Sequence, residues 1–290
     1  MKLTLLLAVL SAALPLHAAA LRALIIDGQN NHDFTVTTPH LKKVLEDTGL
    51  FTVDVVTAPA KSGDVTAFKP AFKNYRVLIS NYSGQPWPQE TQDAFVAFVK
   101  NGGGFVSVHA ADNSFPNWPE YNEMIGVGGW EGRNEKSGPY LRLRDGKFVH
   151  DTTPGRGGSH GQQHAFVMDT RAPAHPIMAG LPAEWLHAKD ELYDRLRGPA
   201  KSVTVLASAL STKETGGSGE HEPLLMVIPF GQGRVFHTAL GHNNGKEFNA
   251  QKCVGFITTF QRGTEWAATG AVTQKVPKDF PTVDKVSLRE

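Results

Sequence analysis

The sequence has a single cysteine, which excludes an intrachain disulfide and any multi-thiolate metal site. It has no excess of one charge: 29 Lys and Arg stand against 28 Asp and Glu, a formal charge of +1. That balance offers no electrostatic footprint for nucleic acid or for an anionic membrane surface. Beyond residue 20 no apolar run approaches the length of a membrane span. No repeat of solenoid length is visible. A phosphate loop is missing, because neither Gly146-Lys147 nor Gly245-Lys246 continues with Ser or Thr. No Gly-x-Gly-x-x-Gly follows a strand pattern, so a dinucleotide site lacks its signature.

What the chain does hold is histidine, twelve of them. Histidine is the side chain best suited to proton transfer and metal ligation near neutral pH. The 290 residues suffice for one large domain or two small ones. At the N-terminus Lys2 precedes the apolar residues 3–14, then Pro15 and the small residues Ala18-Ala19-Ala20. This is the pattern of a secretory signal peptide cut after Ala20, so residues 1–20 are expected to leave and the remainder to be a soluble periplasmic or secreted protein. His17 leaves with them, and the remaining chain is formally neutral.

Residues 21–26 form a short apolar run ending in Asp27-Gly28, a buried strand with a loop at its C-terminal end. Thr37-Thr38-Pro39 predicts a helix start, with Leu41, Val44 and Leu45 at helical spacing and Gly49 closing it. Residues 51–57 and 75–81 read as strands. A second helix carries Ala94, Phe95, Phe98 and Val99 and stops at Gly102-Gly103-Gly104. The strand 105–108 then ends at His109. Strands apolar on both faces, separated by amphipathic helices, predict an α/β fold with a doubly wound, mostly parallel sheet and helices on both faces.

Further on, residues 140–149 resemble a hairpin around Asp145-Gly146, and residues 150–163 a polar Gly-rich loop. Strands are predicted at 166–168, 192–196, 203–210, 224–229 and 234–240, an added β-rich insertion. A long helix is predicted from Lys246 to about Thr269, with Phe248, Cys253, Phe256, Ile257 and Phe260 on its apolar face. Residues 271–290 show no period and are expected to lie extended on the surface.

Residues 157–161 match Gly-x-Ser-x-Gly, but a nucleophile elbow needs a strand before the serine and a helix after it, and polar loop flanks Ser159. His160 and His164 have zincin spacing, yet the neighbouring glycines oppose the helix that this spacing requires, so the match is read as chance. Ser107-Val108-His109-Ala110-Ala111 fits an elbow better: small residues stand two positions either side, and an imidazole is thrust out above the sheet. Ligands of doubly wound folds bind beyond the C-terminal strand ends, where Asp27 and His109 fall.

Several segments together resemble the trehalose-utilisation ThuA-like family. They are Gly102-Gly103-Gly104-Phe105 running into His109-Ala110-Ala111, then His175-Pro176-Ile177 and Asp190-Glu191-Leu192-Tyr193. Gly231-Gln232-Gly233-Arg234-Val235 running into Leu240-Gly241-His242, and Asp27-Gly28 with His32-Asp33, complete the set. The resemblance implies a class I glutamine-amidotransferase-like, flavodoxin-like fold over residues 21–270, with 271–290 a C-terminal extension, and a link to sugar metabolism. One departure is Met226-Val227-Ile228-Pro229, where relatives often carry a tryptophan. Amidotransferases of that superfamily place a cysteine at the elbow; here His109 stands there and Cys253 lies on an apolar helix face, so glutaminase chemistry is not expected.

Asp27, His32, His109, Glu191 and His242 all fall at or after strand or loop ends. Such a cluster can do acid–base work, with a carboxylate orienting an imidazole, or can bind a divalent metal. The expected catalytic pair is His109 and Glu191, on a hydrolase or a lyase or isomerase acting on a sugar or keto-glycoside. Asp27, His32, Asp33, His164, His242 and Trp87 are expected to bind that small-molecule carbohydrate. Trp118, Trp130, Tyr82 and Phe115 stand in the same loop regions, suited either to stacking on sugar faces or to core packing. His237 and His175 are expected to be structural, and His40, His150, His187 and His221 to be ordinary surface or loop residues. The alternative is a non-catalytic sugar-binding or accessory protein on the same scaffold.

Overall fold

The computed structural model describes residues 19–243, 245 and 248–290, so the expected signal peptide lies almost wholly outside the described residues. In chain order the strands begin with β1 (Leu21–Asp27), β2 (Phe51–Thr57), β3 (Val77–Ser80) and β4 (Gly104–Val108). The insertion contributes β5 (Tyr140–Arg144), β6 (Lys147–Asp151), β7 (Ser159–His160), β8 (His164–Thr170), β9 (Glu184–Asp190), β10 (Tyr193–Asp194) and β11 (Thr204–Leu210). A final hairpin pairs β12 (His221–Phe230) with β13 (Gly233–Thr238). The helices are α1 (Phe34–Glu46), α2 (Gln89–Lys100), α3 (Pro119–Ile125), α4 (Asn249–Lys252) and α5 (Val254–Thr269).

One nine-stranded sheet runs β2-β1-β3-β4-β13-β12-β11-β8-β9. Its first five strands are parallel. The remaining ladders are antiparallel, so the sheet is mixed, with the parallel part on the β2 side. Of the expected β-rich insertion, β8, β9 and β11 extend the main sheet, while β5-β6 and β7-β10 form small pairs beside it. Counting the alternation outward from β13, β9 runs in the same direction as the parallel strands. The C-terminal ends of β1, β4, β13 and β9 thus open on one edge.

Alternation along β4 places helices on both faces. Phe105 packs against Phe95 of α2 and Tyr121 of α3. The neighbouring residues face the other way: a Cβ on Gly104 would meet the Ala267 carbonyl of α5, and Phe236 fills the space beside Gly263. Those close approaches need glycine at both positions.

Three details differ from the sequence reading. The first helix starts at Phe34, because the Asp33 side chain accepts the Thr35 N–H and caps it, which leaves Pro39 inside the helix. The long C-terminal helix breaks at Cys253, whose backbone is extended between α4 and α5 (Lys246 and Glu247 lie outside the described residues). Strand β9 was not expected at all; the segment predicted as strand at 192–196 holds only the two residues of β10. Residues 271–290 run extended along the β9 edge, where Leu186 N–H donates to Thr282 O and Phe280 packs on Trp185. Among the described residues no helix is long and apolar enough to cross a membrane.

Candidate metal centre

Four residues from four distant segments converge at the shared C-terminal edge. His32 follows β1 and immediately precedes the capping Asp33 of α1. His109 follows β4 with φ +46, the left-handed corner that the elbow pattern requires. Glu191 follows β9, and His242 follows β13. One ligating atom from each lies within 4.8 Å of every other. His242 Nδ1 is 3.1 Å from Glu191 Oε2, His109 Nε2 is 3.6 Å and His32 Nε2 is 3.8 Å from the same oxygen. His32 Nε2 and His242 Nδ1 are 2.9 Å apart.

These separations suit a divalent ion. Metal–nitrogen bonds of about 2.0–2.1 Å set neighbouring ligand atoms roughly 3 Å apart. Three imidazoles and one carboxylate are a donor set for Zn, Fe, Co, Ni or Mn. The outer nitrogens of His109 and His32 are tied back in the manner of metal ligands. His109 Nδ1–H donates to Ala239 O at 2.8 Å, and its Nε2 is buried among the cluster with no hydrogen-bond partner among the described residues. His32 Nδ1 lies 3.3 Å from Asn30 Oδ1, which leaves its Nε2 toward the cluster. Gln163 bridges the rim, with its amide nitrogen 3.0 Å from His242 Nε2 and 3.2 Å from Glu191 Oε1.

The electrostatics favour an ionised carboxylate among the imidazoles. Burial pushes the Glu191 carboxyl up, but the imidazoles of His109, His242 and His32 beside it outweigh that and hold the group far below the usual range. Burial lowers His32 to about 4, so its ring is neutral at pH 7. Burial also opposes charge on His109, but the Glu191 and Asp190 carboxylates beside it prevail and its pKa is raised.

Beneath the cluster, Asp190 is fully buried and ties its parts together. Its Oδ1 accepts the N–H of Glu191 and of His242, while Oδ2 accepts the Gly241 N–H and His187 Nε2–H. His187, expected to be a surface or loop residue, is instead completely buried. Burial disfavours its imidazolium, but Cys253 and the Asp190 carboxylate beside it outweigh that cost and push it up to about 10. Cys253 is buried as expected, yet it faces this histidine rather than a purely apolar surround.

The other sequence candidates lie outside the cluster. Asp27 is buried at the end of β1, with Thr38 and Thr57 beside its carboxyl. Asp33 serves as the α1 cap. His164 turns its Nδ1 to Gln162 O and its ring onto Phe166. Trp87 is only 2% exposed and packs among Phe68, Tyr82, Phe95, Phe115 and Trp118, a core aromatic cluster that accounts for most of the loop aromatics. His237 is buried between Ile125 O and Asp112, and His175 accepts the Ile177 N–H in a turn, both structural as expected.

His160 is the residue that sequence reasoning set aside and the structure brings in. The β7-β10 pairing sets it opposite Tyr193, with Nε2 3.6 Å from Glu191 Oε1. Its signal was its distance in space from Glu191, which helix-based spacing rules do not read.

Comparison with known proteins agrees with this architecture. The family model described as ThuA, trehalose utilisation, matches residues 22–267. A thua-like protein from Parabacteroides merdae of known crystal structure is 50% identical, with a TM-score of 0.91 over 93% of this chain and 98% of its own. A second thua-like protein, from Bacteroides uniformis, shares the fold at 18% identity, with a TM-score of 0.57 over 93% of this chain and 98% of its own. A cytoplasmic protein of Salmonella typhimurium does so at 14% identity, with a TM-score of 0.51 over 88% of this chain and all of its own. No curated protein matches the chain. On the family match and the half-identical relative, this chain belongs to the ThuA, or trehalose utilisation, family.

Proposed function

We propose that this protein is an exported carbohydrate-processing enzyme built around a divalent metal ion held by His32, His109, Glu191 and His242. It acts on a sugar or keto-glycoside as a hydrolase or as a lyase or isomerase. The observation that carries the reading is the convergence of these four donors, with the Nε2 of His109 buried and, among the described residues, unpartnered. Four protein donors leave positions open on a five- or six-coordinate ion, and such an ion polarises a sugar oxygen when bound. Glu191 turns its second oxygen outward to Gln163 and His160, the side from which a small molecule reaches the centre. The family description supports a carbohydrate as the substrate class. The order β2-β1-β3-β4 supports the flavodoxin-like, amidotransferase-like ancestry, while the histidine at the elbow speaks against amidotransferase chemistry. The N-terminal sequence pattern supports a periplasmic or secreted location.

A second reading keeps the residues and drops the metal. His109, whose pKa is raised, beside Glu191, whose pKa is lowered, is an imidazole–carboxylate pair suited to acid–base work. Chromatography of incubations with trehalose, other disaccharides and their keto derivatives separates these readings. Turnover lost on chelation and restored by one divalent ion supports the metal centre. Turnover indifferent to chelator but lost in His109→Ala supports acid–base catalysis. Saturable sugar binding without product, across the whole panel, points to an accessory sugar-binding role instead.

A further inference from the structure

Beside the cluster lies a cavity of about 370 Å³ between residues 130–133 and 156–160. Building on the carbohydrate reading above, we infer that this cavity is the pyranose subsite of the centre. The Trp130 indole is its platform, Arg156 donates to sugar hydroxyls, and His160, whose Nδ1–H donates to Gly161 O, accepts from one at Nε2.

The cavity reaches the cluster through His160, whose side chain is 35% exposed and whose Nε2 is 3.6 Å from Glu191 Oε1. A chain of rings links the same two places. Trp130 packs on Tyr193 with centroids 4.5 Å apart, and Tyr193 stacks on His109 at 4.3 Å. The other four tryptophans are absent from this wall: Trp87, Trp118 and Trp185 are core residues, and Trp266 packs on His175.

The placement of Trp130 is enforced by the backbone. Trp130 and Glu131 have φ of +52 and +45, two successive side-chain-bearing residues in the left-handed region. Such strain persists only where the surroundings over-determine it, and it gathers at ligand sites. Here Trp130 N–H donates to Gly157 O, Gly157 N–H to Arg133 O and Gly158 N–H to Arg195 O. A Cβ on Gly158 would lie 2.4 Å from the Trp130 nitrogen, so the two loops close only with glycine there. The buried Arg133 guanidinium donates to the carbonyls of Asn113, Ser114 and Gly129, locking this loop to the turn that follows His109. Arg156 is exposed at the mouth and held by its hydrogen bond to Ser159 Oγ.

An aromatic face flanked by a few fixed donors is chemistry that recognises a pyranose: the C–H face of the ring lies on the indole and the hydroxyls take the polar groups. The recess, about 370 Å³, has room for a single ring, and His160 stands between it and Glu191.

The test titrates the full-length protein, as purified and with its metal content measured in parallel, with trehalose and with glucose by calorimetry. Saturable binding is expected, weakened about tenfold or more in Trp130→Ala and several-fold in His160→Gln, with metal per chain unchanged. Trp130→Phe, which keeps a ring, is expected to retain most of the affinity and guards against misfolding of the alanine variant. The subsite is overturned if neither sugar saturates the protein, or if Trp130→Ala binds as the wild type does. A protein that binds sugar through Trp130 yet takes up no metal, even after equilibration with divalent ions, refutes the metal centre and leaves the subsite standing.

Discussion

The carboxylate of Asp190 holds the main chain of His242 in place: its Oδ1 accepts the His242 N–H at 2.9 Å, and the same oxygen accepts the Glu191 N–H at 2.7 Å. One buried group thus sets the spacing of two cluster residues that are far apart in sequence. It also closes the end of β9 onto the end of β13, although three strands separate them in the sheet.

Asp190→Asn removes the charge and one acceptor while keeping the shape. Metal affinity is expected to fall about 10- to 100-fold, the usual effect of losing a group that orients ligands. Competition with a chromophoric chelator reads this directly. An unchanged affinity in the folded variant would show that the backbone positions of Glu191 and His242 are fixed by other contacts.

Arg133→Met leaves the carbonyls of Asn113, Ser114 and Gly129 and the Asn122 side chain without their donor. A loss of roughly 2–3 kcal/mol in urea unfolding is expected, because buried acceptors left without a donor cost about 1–3 kcal/mol. A change below about 1 kcal/mol would mean that the loop carbonyls find water without cost.

Trp87→Ala opens a hole in the core aromatic cluster. It is expected to cost about 3–5 kcal/mol of stability and to leave metal content and sugar affinity of the folded protein unchanged. A selective loss of sugar affinity would restore Trp87 to the binding site.

His40 carries a pH dependence away from the centre. Burial lowers its pKa, and Lys252 and Lys43 nearby add to the effect against the hydrogen bond with Gln251 O. The unfolded chain therefore takes up its proton at higher pH than the folded one. The contribution of the neutral ring is fully present above the unfolded pKa of about 6.5 and is lost as pH falls below it. Wild type is expected to lose more stability than His40→Leu between pH 7 and 5. Parallel curves for the two proteins would contradict this assignment.

The parallel half of the fold was legible because β1, β3 and β4 are apolar on both faces and stop at polar loop residues. The His109 corner was legible because an elbow constrains the size of its neighbours. Strand β9 was not, since Glu184, His187, Lys189 and Asp190 interrupt its apolar pattern, and two of these polar groups are buried against partners no local pattern reveals. Trp87 was misplaced for a related reason: an aromatic in a loop sequence can seal the core as readily as line a pocket. His160 reaches the site through a two-residue strand pairing, which leaves no periodic trace in the sequence.

The most direct test of the metal centre is elemental analysis of untagged protein, before and after equilibration with Zn, Mn, Co, Ni and Fe(II), alongside His32→Ala, His109→Ala, Glu191→Gln and His242→Ala. About one divalent ion per chain in the wild type, with markedly weaker retention in each variant, is the result the account requires. A wild-type protein that binds no stoichiometric metal under any of these conditions, or four variants that hold it as tightly as the wild type, would contradict it.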